Sequence, residues 1–240
     1  MKIAENTQIT TNSFRVNAII LAAGKGTRMK APADKNKVTF DLHGHPLVWW
    51  TRRRLTDAGI ESAIAVVGYT AASVKAALSF IPMDTDTLLV LYGDDSAFYT
   101  KLLLQNIITS HESSEADLTL FTIHRNDPTG LGRIIRNRTG AVIGIVEEKN
   151  ASRQQHLLKE VNAGLYCFKK SFLLDAINKI IPNPITHEYD LTDLLSIAVE
   201  MGAKINSYTI DNSHVWFGVN TAEQLGRAQD EFVLNGQNQI

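Results

Sequence analysis

One cysteine in 240 residues removes two classes of protein at once. Cys167 has no partner for an intrachain disulfide and cannot build a thiolate metal cluster. Its setting in the apolar run Gly164-Leu165-Tyr166-Cys167-Phe168 marks a buried structural thiol. Excess charge of either sign is also missing: 24 Lys and Arg against 25 Asp and Glu leave a formal charge of -1. Such a chain has no global attraction to nucleic acid or a membrane surface, so electrostatic steering must be local. No apolar run approaches membrane-spanning length, and residues 1–13 lack the apolar core of a secretory signal. The expectation is a cytoplasmic protein with a disordered amino terminus over 1–13, a single domain over 14–235 and a tail over 236–240.

What is present is a hydrophobic content of 44%, enough for a sizeable core. The most informative stretch is Val16-Asn17-Ala18-Ile19-Ile20-Leu21-Ala22-Ala23-Gly24-Lys25-Gly26-Thr27-Arg28-Met29. A continuous apolar run stopped by Gly-Lys-Gly reads as a central parallel strand whose carboxyl end opens on a ligand crevice. Glycines there let backbone amides approach a ligand, and Lys25 and Arg28 add positive charge, which suits a phosphate. The pattern is neither a Walker loop nor the three-glycine dinucleotide fingerprint. Taken alone it is equally an ordinary strand-to-helix connection.

Strand-like and amphipathic stretches alternate along the chain. Pro46 opens a helix that places Leu47, Val48, Leu55 and Ala58 on one side and ends at Gly59, with Arg52-Arg53-Arg54 on a solvated face. Residues 63–67 read as a strand, 71–78 as a helix and 87–92 as a fully buried strand. Repeated strand-helix-strand units predict a doubly wound α/β sheet. Further on, strands are expected at 118–123 and 161–168, and a hairpin joins 133–136 to 141–146 through Asn137-Arg138-Thr139-Gly140. Helices are expected at 171–180 and 191–201, a strand at 203–210, and a closing helix bearing Ala222, Leu225, Ala228 and Phe232.

A second chemical feature, Tyr92-Gly93-Asp94-Asp95, ends the buried strand at 87–92. Asp94 would face the same crevice as the Gly24 loop, and a carboxylate beside a phosphate calls for a divalent cation between them. By itself Gly-Asp-Asp is more simply a turn or a helix cap. Asn220 is the third feature: Thr221 and Gln224 already form a capping box, which leaves the Asn220 carboxamide to point elsewhere, for instance to Mg²⁺. His43 and His45 read as turn residues.

Taken in order, Leu21 to Met29, Lys37-Val38, Gly44-x-Pro46, Leu91 to Asp94, Asp127 to Ile134, Ile145 to Lys149, Glu160 to Gly164, Glu188-Tyr189-x-x-Thr192-Asp193 and Gly218 to Asn220 span nearly the whole chain. With these motifs the chain resembles the sugar-1-phosphate nucleotidyltransferase family, and within it the N-acetylglucosamine-1-phosphate uridyltransferase domains of bifunctional enzymes that make UDP-N-acetylglucosamine. The resemblance implies a Rossmann-like doubly wound mixed sheet with a small β-rich sugar-binding part. It implies that Leu21, Ala22, Ala23, Gly24, Gly26, Tyr92 and Gly93 bind the nucleotide, and that Arg28 and Lys37 neutralise its phosphates as the catalytic cations. It also implies that Asp94 and Asn220 bind Mg²⁺, and that Gly132, Glu147 and Asn162 contact the sugar. The partners would be a nucleoside triphosphate, UTP, and N-acetylglucosamine-1-phosphate, joined with release of pyrophosphate.

Three departures from the family pattern stand out. Asn36 replaces the proline usual before the lysine, and the loop leading to it is long. Asp95-Ser96-Ala97 follows Asp94 without the usual proline. The strand and the Gln-x-x-x-Gly-Thr-Gly type loop that read the base in similar enzymes have no counterpart before Ser79. Two alternatives therefore stay open: a non-catalytic sugar-nucleotide sensor, and a glycosyltransferase whose metal sits on Asp94-Asp95. Similar bifunctional enzymes continue into a hexapeptide-repeat acetyltransferase part, whereas this sequence stops after 235–240, so that second activity is not expected here.

Overall fold

Strands without polar alternation need apolar cover on both faces. Two such runs, Val16–Leu21 (β1) and Thr87–Tyr92 (β5), lie side by side in parallel along their full length. The computed structural model describes residues 15–23, 36–67, 71–182, 190–210 and 216–234. Within it, Ala63–Val66 (β4) pairs in parallel with the other edge of β1. Leu118–His124 (β6) and Ile205–Ile210 (β10) form a second parallel pair. Glu160–Lys169 (β9) runs antiparallel between β5 and β6, so the strand order is β10-β6-β9-β5-β1-β4. Arg133–Arg136 (β7) and Val142–Val146 (β8) form the expected hairpin, which joins the sheet where Arg133 meets Val161.

Alternate strand residues supply two separate apolar layers, as a doubly wound sheet requires. Ile19, Leu88, Val90, Leu120 and Phe168 belong to the layer that also takes in Leu78 of Ala71–Leu78 (α2), Leu173 of Lys170–Ala176 (α4) and Leu194 of Asp193–Glu200 (α5). Ala18, Ile20, Leu89, Leu91 and Cys167 belong to the other, with Leu55 of Leu47–Asp57 (α1) and Leu104 and Ile107 of Lys101–Ser113 (α3). Mixed pairing, two covered faces and a small hairpin annex are the architecture expected from the chain.

A third layer closes one end. Phe232 of Ala222–Leu234 (α6) packs on Trp50 and Phe98, beside a short hairpin of Asp41–Leu42 (β2) and His45–Pro46 (β3). His43 and Gly44, with φ of 50° and 83°, make its turn. The ring of His43 contacts the Gln229 carbonyl (2.7 Å) and that of His45 stacks on Trp49, so both histidines serve packing.

Some boundaries differ from expectation. Helix α3 was not anticipated, although Leu103, Leu104, Ile107 and His111 recur at helical spacing and Thr100 caps its start by accepting from Leu103 N (3.1 Å). Helix α4 starts at Lys170 and tightens after Ala176 into a 3₁₀ turn over Ile177–Lys179; α5 is confined to Asp193–Glu200, and β10 begins at Ile205.

Candidate active site

The carboxyl end of β1 is stitched to both neighbours: Gly93 N, just after β5, donates to Leu21 O (3.0 Å), and Ala22 N donates to Val66 O of β4 (2.8 Å). Gly93 is needed for this fit, since a Cβ there would lie 3.1 Å from Ile20 Cγ2 and 3.2 Å from Val38 Cγ1. The turn that follows is fastened from behind by α1. The buried Thr51 hydroxyl reaches Gly93 O (3.3 Å) and Ser96 Oγ (2.8 Å), and Ser96 Oγ donates to Tyr92 O (2.5 Å). From the other side, Val219 N donates to Asp94 O (3.3 Å). Asp94 thus sits on a turn whose backbone is held by two distant segments.

Lys37 reaches it from a third segment. Asn36 Oδ1 accepts from Val38 N (3.2 Å), capping the 3₁₀ turn Lys37–Thr39, while its Nδ2 donates to Ala22 O. Hydrogen bonds therefore stiffen the approach to Lys37 where the family pattern would use proline. The buried Lys37 ammonium pairs with Asp94 Oδ2 and donates to Asn220 Oδ1 (3.0 Å). The capping box beside Asn220 forms as expected: Gln224 N donates to Thr221 Oγ1 (3.2 Å) and Thr221 N to Gln224 Oε1 (3.1 Å). The Asn220 carboxamide turns to Lys37, which also pairs with Asp94.

Asp95, next along, is enclosed. Its Oδ1 is shut off from solvent with no hydrogen-bond partner. Burial pushes its carboxyl well above the usual carboxylate range; Asp94 pushes further, while Lys37 and the Trp216 indole oppose. Trp216 Nε1 donates to Ala163 O (2.9 Å), which anchors this wall to β9.

The three expected sugar-contacting residues also come together. Asn162 N donates to Gly132 O (2.9 Å), Asn162 Nδ2 to Tyr166 Oη (2.7 Å), and a Cβ on Gly132 would lie 3.3 Å from Glu147 Oε1. Of the three, Glu147 lines a cavity of about 260 Å³ together with Lys149, Asn150, Asp190, Thr192 and Asp193. Burial raises the Glu147 carboxyl pKa, with Asp190 adding to the effect and Lys149 opposing it. Asp190 was not singled out from sequence, where it reads as one more carboxylate before a helix. Of the remaining candidates, Leu21, Ala22, Ala23, Tyr92 and Gly93 cluster at the strand ends. Gly24, Gly26 and Arg28 lie outside the described residues.

The donor set suits a hard cation. Asp94 and Asn220 present oxygens to one point, and in this structure an ammonium already bridges them. Among the described residues no group of three or more His, Cys, Asp and Glu gathers as a metal site of another kind. A larger cavity of about 880 Å³ lies at the opposite end of the central strands, where Asp86, His111, Glu112, Lys169 and Lys170 line it. None of the described candidate residues lines it.

A nucleotidyl transferase family model matches residues 68–233, and a MobA-like NTP transferase domain model matches residues 18–71. The chain belongs to the nucleotidyl transferase family. It is 34% identical over 235 residues to the bifunctional protein GlmU of Heliobacterium modesticaldum, covering 88% of this chain and 51% of that one. With the GlmU of Geobacter sulfurreducens it shares 35% identity over 254 residues, covering 91% and 52%. The chain thus spans about half the length of these relatives. The second alignment is longer than the 240-residue chain itself, so that relative contains stretches which this chain lacks. The two family matches meet at 68–71, just after β4. A solved structure from Bacillus anthracis, provisionally named a glucose-1-phosphate thymidylyltransferase, has the same fold, with a TM-score of 0.69 over 90% of this chain and 94% of that one at 16% identity.

Proposed function

We propose that the protein joins a sugar-1-phosphate, N-acetylglucosamine-1-phosphate, to a nucleoside triphosphate, UTP, with release of pyrophosphate. The observation that carries this is the meeting of Lys37, Asp94 and Asn220 at the ends of β1 and β5, beside Gly132, Glu147 and Asn162. The later motifs, Asp127 to Ile134 and Glu160 to Gly164 among them, support the amino-sugar and, through it, the uridine assignment. No helix among the described residues is long and apolar enough to cross a membrane, which accords with a cytoplasmic site of action.

The chemistry follows from charge. A sugar-1-phosphate oxygen attacks the α-phosphorus of the triphosphate, so two anions must be aligned against their repulsion. Catalysis of this kind is mostly positioning and electrostatic stabilisation. The attacking phosphate is already ionised, so no side chain need act as general base. Asp94 and Asn220 would hold Mg²⁺, which when bound neutralises the reacting phosphates. Lys37 and Arg28 would add fixed positive charge, Lys37 leaving Asp94 for a phosphate oxygen. Leu21 to Gly24, Gly26, Tyr92 and Gly93 would frame the nucleotide. Gly132, Glu147 and Asn162 would fix the sugar, with the missing side chain of Gly132 leaving it room beside the Glu147 carboxylate.

The test is a panel of nucleoside triphosphates against sugar-1-phosphates with Mg²⁺, scored by pyrophosphate release. UTP with N-acetylglucosamine-1-phosphate is the expected pair. Activity with another pair would replace the substrates and keep the reaction. Binding of the sugar nucleotide without pyrophosphate release across the panel would leave a sensor, and transfer of the sugar to an acceptor would leave a glycosyltransferase.

A further inference from the structure

We propose that Asp95 is a further ligand of the divalent cation, so that two successive carboxylates and Asn220 hold the metal before any nucleotide arrives. This rests on the cation site proposed above and adds to it a residue and an order of binding. Three buried side-chain polar atoms lack a hydrogen-bond partner among the described residues: Asp95 Oδ1, Glu112 Oε1 and Arg133 Nε. Asp95 Oδ1 is the one beside Asp94. An enclosed carboxylate oxygen without a donor is costly, and it points to a cation or a proton that the ligand-free chain does not supply.

The surroundings are built around this carboxylate. Gly164, at φ 71°, has no side chain where one would meet Asp95 Oδ2 at 3.1 Å and the Tyr92 ring at 2.6 Å. The Trp216 indole closes another side. Lys37 faces both carboxyl groups yet pairs with Asp94, so Asp95 is left without a cation of its own. A divalent cation held by Asp94, Asp95 and Asn220 would give Asp95 a positive partner and free Lys37 for phosphate. Affinity for such a cation rises with the number of carboxylates that hold it.

The test uses Mn²⁺ as the probe and follows its binding to the nucleotide-free protein by electron paramagnetic resonance, with no turnover involved. Wild type is expected to bind, Asp94→Asn to lose binding, and Asp95→Asn to bind at least about tenfold more weakly, in line with the loss of one metal-supporting group. Asp95→Val provides a second readout: it should melt no lower than wild type in metal-free buffer, and Mn²⁺ should raise the melting temperature of wild type but not of the variant. Mn²⁺ affinity of Asp95→Asn within twofold of wild type, while Asp94→Asn has lost it, would overturn the role of Asp95 and leave the Asp94–Asn220 site standing. Absence of Mn²⁺ binding by nucleotide-free wild type also overturns it. In that case a repeat with UTP decides the cation site separately: binding that depends on Asp94 keeps it, and none removes it.

Discussion

Both ends of the central sheet bury ionisable groups, and they treat them in opposite ways. At the carboxyl end, Lys37, Asp94 and Asn220 converge from three distant segments, and opposite charges are kept and paired. At the amino end, around the 880 Å³ cavity, the groups are driven toward neutrality. Burial lowers His111 to about 4 and raises Glu112 to about 7, with Asp86 adding to the rise of Glu112. His111 Nδ1 meets Thr119 Oγ1 (2.9 Å), a contact that a neutral ring satisfies. A close ion pair keeps charge at the carboxyl end, Asp95 excepted, whereas desolvation without such a pair suppresses the charge of His111 and Glu112.

Breaking the charged end has the largest expected effect. Asp94→Ala removes the group that pairs Lys37 and, on our reading, the metal; kcat should fall by about a hundred- to a thousandfold, with the circular dichroism spectrum unchanged. Steady-state pyrophosphate release measures this, and near-normal turnover would remove Asp94 from the site. Gly164→Ala forces a side chain into a left-handed backbone position and against Tyr92. The backbone alone should cost roughly 1–3 kcal/mol, seen as a lower urea midpoint. Thr51→Val strips the hydroxyl that fastens the Asp94 turn and leaves Gly93 O and Ser96 Oγ short of a partner. A loss of about 1–2 kcal/mol is expected, and a fall in kcat beyond that of an equally destabilised core variant would tie the hydroxyl pair to positioning.

The smallest effect sharpens the other side of the contrast. The folded-state pKa of Glu112 is raised from 4.5, so its contribution to stability is full below that value and is lost as the pH climbs toward 7. That of His111 is lowered from 6.5, so its contribution is full above that value and is lost as the pH falls toward 4. The two slopes oppose each other in the interval they share. In Glu112→Gln the His111 slope is left alone, and the melting temperature should rise with pH from 4 to 6.5 more steeply than in wild type. An unchanged profile would mean that the amino end holds no such balance.

Much of the fold was legible because its signals are local. The apolar runs of β1 and β5 announced covered strands, the Asn137 to Gly140 turn announced a hairpin, and Thr221 with Gln224 announced a cap. Helix α3 escaped because its apolar residues adjoin a buried strand and a turn, with no proline or glycine to mark its edge. The site was legible only in part, for a different reason. Asp94 and Asn220 could be suspected singly, but the ammonium between them arrives from a residue 183 positions away from Asn220. Departures from a family pattern were also poor guides to geometry. Asn36, standing where a stiffening proline was expected, ties Lys37 down by accepting from Val38 N and donating to Ala22 O at the end of β1. Likewise the Ser96 hydroxyl, joined to Thr51, holds a turn that lacks its proline.

The lone cysteine, finally, is a ready-made clock. Cys167 lies mid-strand in β9, fully buried, facing Leu89 of β5 and Thr119 of β6 across two ladders, and burial pushes its thiol up from the ordinary value. A thiol reagent can reach it only when the middle of the sheet comes apart. The labelling rate of the unaltered protein is therefore a direct gauge of how often the whole sheet opens. A compound that binds the folded chain and leaves the reagent untouched slows the rate, and screening for such compounds needs no assumption about the reaction.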